Sequence, residues 1–131
     1  ADPMSTFNSK HNRAVWFDIP VADLDRAAAF YRAVLGVDVQ KEEYEGGAFC
    51  FIAHDEGNGG CLIEAADEVS STGGILVYLN DDGRIRAAIA RDEKHGGAVK
   101  EPIHSIGPHG FRAVVLDSEG NRIALHSNAD A

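Results

Sequence analysis

The chain has 131 residues, 44% hydrophobic and 25% charged, with a net charge of −9. That length holds one compact domain with a real core, and the charge argues against nucleic-acid or anionic-membrane partners, which need clustered Lys and Arg. No apolar run approaches the ~18 residues of a membrane helix, no basic-then-apolar leader is present, and the two cysteines, Cys50 and Cys61, are too few for a disulfide framework. A reduced, cytoplasmic setting is therefore expected.

Ala1-Asp2-Pro3 ahead of Met4 reads as an expression scar, and residues 1–12 as a frayed N-terminus. In the stretch 15–19, Val15, Phe17 and Ile19 alternate with Trp16 and Asp18, the period of a strand with two unlike faces. Pro20 ends it. Asp23 suits the start of a helix, by capping and by the helix dipole, and Ala27, Phe30, Tyr31, Val34 and Leu35 then recur as an apolar stripe until Gly36 supplies the stop. Val37-Asp38-Val39 resumes extended structure. Residues 49–53 and 61–65 read as a hairpin around Glu56-Gly57-Asn58-Gly59-Gly60.

Residues 70–74 are small, polar and glycine-ended, the composition of a linker. The scheme then repeats. Ile75-Leu76-Val77-Tyr78-Leu79 predicts a strand, Asp81 and Arg84 lead into a helix over about 82–94 with Ile85, Ala88 and Ile89 buried, and Gly96-Gly97 stops it. Residues 98–103, 111–116 and 122–126 predict three more strands, with 105–110 a loop by its Gly-Pro content. Glu56-Gly57-Asn58 recurs sixty-three positions later as Glu119-Gly120-Asn121. The whole predicts an α+β fold in a single domain: two tandem βαβββ modules, 13–68 and 73–127, forming a cupped, mainly antiparallel sheet around a cleft, helices outside. A cleft between repeats is where a small ligand would sit.

The arrangement resembles the vicinal oxygen chelate superfamily of glyoxalases, bleomycin-resistance proteins and extradiol dioxygenases. The likeness is carried by Phe17-Asp18-Ile19-Pro20-Val21-Ala22-Asp23-Leu24-Asp25-Arg26-Ala27, Phe30-Tyr31 and Leu35-Gly36, then Gly74 to Leu79, Gly96-Gly97 and Leu116-Asp117-Ser118-Glu119-Gly120-Asn121-Arg122-Ile123. The resemblance implies a ligand, His or Glu, on the first and last strand of each half. Carried over position by position, those slots hold Trp16, Cys61 (Ile63 if the hairpin slips), Gly74 and Ala124. Trp, Gly and Ala do not ligate a divalent cation, and a lone Cys suits hard ions poorly. Neither metal nor other cofactor is therefore expected. A set of Cys50, His54 and Cys61 is disfavoured, because Cys50 and His54 lie about 13 Å apart along a strand.

Strand parity turns Trp16, Asp18, Cys61, Ile63, Leu76, Tyr78, Ala124 and His126 toward the cleft, with Arg122 nearer the rim. These residues suit a small, partly aromatic or amphipathic organic molecule. Three classes of function follow. One is a metal-independent binding protein of the bleomycin-resistance type. Another is an enzyme of lyase, isomerase or dioxygenase class, using Asp18 and His126 as acid and base or an atypical metal site. The third is a regulatory or interaction module with a vestigial cleft. The resemblance also implies a homodimer.

Overall fold

The computed structural model describes residues 10–131, and the residues read as a scar and most of the frayed N-terminus lie outside them. The element order is β1 (Ala14–Val21), α1 (Leu24–Leu35), β2 (Val39–Tyr44), β3 (Gly47–Ile52), β4 (Gly60–Glu64), β5 (Leu76–Asn80), α2 (Ile85–Lys94), β6 (Ala98–Ser105), β7 (Phe111–Leu116) and β8 (Arg122–Ser127), with 3₁₀ turns at Ala66–Glu68 and Gly107–His109. The fold is α+β, and the chain divides into two compact units, Trp16–Ile75 and Leu76–Ala131, the second also holding residues 10–15.

In the first unit the strands run in the order β2-β3-β4-β1. β2/β3 and β3/β4 are antiparallel, whereas β1 and β4 are parallel, pairing Asp18 with Cys61. The helix starts where the sequence places it: Asp23 is extended, and its carboxylate accepts from the Arg26 N–H at 3.0 Å, satisfying a donor the first turn leaves without a partner. Gly36 ends it in the left-handed conformation. The helix packs through Leu24 and Ala28, with Ala27 and Tyr31 partly buried, onto Val21, Val39, Cys50, Ile52 and Leu62. The expected apolar stripe is thus only half right. Phe30 and Val34 are 57% and 61% exposed, because the buried face is centred one residue step away, on the small Ala28. Arg32 ties the helix end to β2, donating to the Val39 carbonyl at 2.7 Å.

The second unit repeats this connectivity, in the order β5-β8-β7-β6. β6/β7 and β7/β8 are antiparallel and β5/β8 parallel. Ile85 of α2 is fully buried against Val115 and Leu125, with Ala88, Ile89, Leu79, Val99 and Ile123 around them. Both Glu-Gly-Asn segments close antiparallel hairpins, β3–β4 and β7–β8. In the second, the Asp117 carboxylate gathers the N–H groups of Glu119 and Asn121 and the Asn121 amide, an Asx turn that holds it below the usual carboxylate range. Among the described residues, no helix is long and apolar enough to cross a membrane.

Candidate ligand-binding site

In each unit the strands have one face under a helix and one without. In the first unit Phe17 and Ile19 pack toward α1, so parity sends Trp16 and Asp18 to the helix-free face. Trp16 (4% exposed) meets the ring of Phe51 edge-on at 5.9 Å and that of His54 at 6.1 Å, and Phe49 meets Phe51 at 4.9 Å. Asp18 is also buried, and its Oδ1 accepts the Cys61 thiol proton at 3.1 Å. Burial pushes the Cys61 thiol well above its ordinary range, and the Asp18 charge adds to this. Cys61 therefore serves as a donor to Asp18. Ile63 is half-buried beside it in β4. Cys50 belongs to the cluster under α1, while Cys61 bonds Asp18 on the other face, so the two sulfurs cannot share an ion.

In the second unit the helix-free face carries Tyr78, Ala124, Val114, His126, Arg112 and His104, which stand in register across β5, β8, β7 and β6. Leu76 and Tyr78 are buried, with Val77 turned the other way and partly exposed. His126 is fully buried, and its Nε2 donates to the His109 carbonyl at 2.6 Å. Gly110 permits that approach. It has φ +99°, and a Cβ there would fall 3.3 Å from His126 Nε2 and 2.5 Å from the Ser127 carbonyl. Burial lowers the His126 pKa, partly offset by the His109 carbonyl and the Asp82 charge. Arg122 is exposed at the start of β8. Gly74 precedes β5, at φ +98° and pressed against the Glu68 carbonyl, where a Cβ would clash.

The positions where the resemblance implies metal ligands hold an indole, a protonated thiol, a hydrogen and a methyl group. That donor set does not fit a divalent cation. Among the described residues, no three His, Cys, Asp or Glu side chains gather into a metal-holding group.

Sequence reasoning missed the most connected polar group on these faces. Arg112 of β7 donates from Nη1 to the Tyr78 hydroxyl at 2.5 Å, from Nε to His104 Nε2 at 3.1 Å, and from Nη2 to Glu101 at 3.3 Å. Its guanidinium also lies 5.8 Å from the Tyr78 ring centroid. Since a guanidinium cannot accept, His104 Nε2 accepts, and Nδ1 carries the proton given to the Pro102 carbonyl at 2.8 Å. His104, one residue past the strand expected over 98–103, is on β6. The strand extends through Ser105, with a register shift between Glu101 and His104 accommodating Pro102.

The chain belongs to the Glyoxalase/Bleomycin resistance protein/Dioxygenase superfamily, whose family model matches residues 13–125. Among solved structures, a variant of Streptomyces coelicolor methylmalonyl-CoA epimerase in complex with 2-nitronate-propionyl-CoA gives a TM-score of 0.65 at 20% identity, covering 92% of this chain and 96% of that one. A glyoxalase/bleomycin resistance protein/dioxygenase superfamily member from Vibrio splendidus gives 0.62 at 15% identity, over 85% and 95%. Methylmalonyl-CoA epimerase from Mycobacterium tuberculosis gives 0.60 at 19% identity, over 88% and 87%. At these identities the likeness is one of fold. No curated protein matches the sequence.

Proposed function

We propose that this chain binds a small, partly aromatic or amphipathic organic molecule on its helix-free sheet faces, without the metal of its superfamily. One observation carries the reading. Residues at the family's ligand positions have been given over to an aromatic and aliphatic lining (Trp16, Ala124), while polar groups stand beside them: Asp18 with Cys61 in one unit, Arg112 with Tyr78 in the other. An apolar surface with a few placed polar groups is the usual make-up of a small-molecule site. A relative in fold is in complex with 2-nitronate-propionyl-CoA, so the fold accommodates an organic acid derivative.

Binding is favoured over acid–base catalysis by what the two candidate catalysts already do. Asp18 accepts from Cys61, and His126 is fully buried with Nε2 committed to the His109 carbonyl. Neither is poised to exchange a proton with a substrate. Action in the cytoplasm and as a homodimer belongs to the same proposal, on the superfamily likeness. The chain has one tryptophan, so its emission reports on the first unit's face alone. Titrating chelator-treated protein with a panel of aromatic and acyl compounds should give saturable changes in Trp16 emission. A stoichiometric divalent metal that survives purification and is needed for binding would overturn the metal-free reading.

A further inference from the structure

On the helix-free face of the second unit, we infer that Arg112 is the anchor for a carboxylate on the ligand, with Glu101 as its resident stand-in. This rests on the ligand-binding reading above and names the class of molecule.

The placement begins in the backbone. Between β6 and β7, Glu101 pairs with Val114 and His104 with Arg112, so three steps along β6 match two along β7. Without that extra residue, Glu101 and His104 would point to opposite faces by the period of two. The irregularity between them, which spans Pro102 and Ile103, turns both toward Arg112. Proline suits the position because it has no N–H to lose from the ladder. Side chains from two strands, Tyr78 of β5 and Glu101 and His104 of β6, therefore converge on one guanidinium of β7.

The chemistry of the three partners is unequal. Tyr78 is 4% exposed, and His104 is pinned by its second nitrogen to a backbone carbonyl. They fix the plane of the fork. Glu101 is different: its side chain is 45% exposed, and at 3.3 Å it makes the longest of the three contacts. It holds the Nη2 edge as a ligand carboxylate would, and water already reaches it. Arg112 itself is 22% exposed, so its charge is partly desolvated and stronger than that of a surface arginine. The guanidinium, held in one plane by its other partners, presents Nη2 to a carboxylate in a fixed direction that the flexible ammonium of a lysine does not reproduce. In a chain of net charge −9, an anionic ligand needs such a localised cation to bind at all. An incoming carboxylate would take the Nη2 edge and release Glu101 to solvent.

The test uses the full chain with two fluorescent probes of one shape, naphthalene-2-carboxylate and naphthalene-2-carboxamide. The wild type should bind the carboxylate about tenfold more tightly than the amide, the difference expected of one charge-assisted pair. Arg112→Gln should abolish that preference while amide binding stays. Arg112→Lys should keep only part of it. Glu101→Gln removes the competitor and should tighten carboxylate binding by about two- to fivefold, leaving the amide unchanged. Because Glu101 is exposed, that variant folds even where an Arg112 variant does not. Equal binding of both probes, or weaker carboxylate binding in Glu101→Gln, overturns the inference while the ligand-binding reading stands. Binding of neither probe overturns both.

Discussion

The two units share one connectivity and almost nothing of their helix-free chemistry. In the first, Trp16, Phe49 and Phe51 form an aromatic face whose buried acid, Asp18, is occupied by a thiol donor. In the second, the aromatic component is Tyr78, and the face is organised around the Arg112 guanidinium. The first face is apolar with a buried anion, and the second is polar with a partly exposed cation. The same connectivity therefore presents an apolar face in one unit and a more polar one in the other.

The largest effect should come from the aromatic face. Trp16→Ala should destabilise the protein by about 3–5 kcal/mol, the usual cost of deleting a buried aromatic side chain, measured by denaturant unfolding. Trp16→Phe should cost clearly less. Equal stability of wild type and Trp16→Ala would mean that the first unit does not depend on its aromatic face, and the contrast would fail. Next comes the thiol–carboxylate bond. Cys61→Val, of similar size but without a donor, should cost about 1–3 kcal/mol by removing a donor from a buried acid. Cys61→Ser, which keeps a donor, should cost less. In the second unit, Tyr78→Phe removes one acceptor from a guanidinium that also bonds His104 and Glu101, and should cost about 0.5–1.5 kcal/mol. A larger loss for Tyr78→Phe than for Cys61→Val would reverse the ranking of the two faces.

Acid and alkali should separate the units further. His126 has a lowered pKa, so its neutral form is the one the fold favours. Its contribution is present above the ordinary value of 6.5 and is lost as pH falls through the lowered folded value. Cys61 is raised, so its contribution is complete below the ordinary 9.0 and is lost as pH rises through the folded value. Stability measured against pH should therefore fall at the acid end through the second unit and at the alkaline end through the first. His126→Gln should flatten only the acid limb, and Cys61→Ser only the alkaline one.

Much of this was legible in the residues. Asp23 and Gly36 mark the helix ends because capping chemistry is local, and the alternation in β1 separates Phe17 and Ile19 from Trp16 and Asp18 because strand parity is too. Other features depend on partners distant in sequence. β2, with Gln40 to Tyr44 exposed, has no apolar period to read, and only its pairing with β3 and the Glu45-Gly46 turn make it a strand. Phe30 and Val34 continue an apolar stripe that the sheet does not cover. The Arg112 group was hidden for the same reason. A bulge shifts parity by one, so a period of two misplaces either Glu101 or His104, and nothing short of the pairing register reveals that they meet.

Binding of an organic ligand by the aromatic face with no help from a metal is tested most directly by titrating naphthalene-2-carboxamide into chelator-treated protein. Trp16 emission is followed, and the titration is then repeated with divalent cations added. Saturable change with the same midpoint in both conditions is the predicted result. No change in emission, or binding seen only with the cation present, would contradict it.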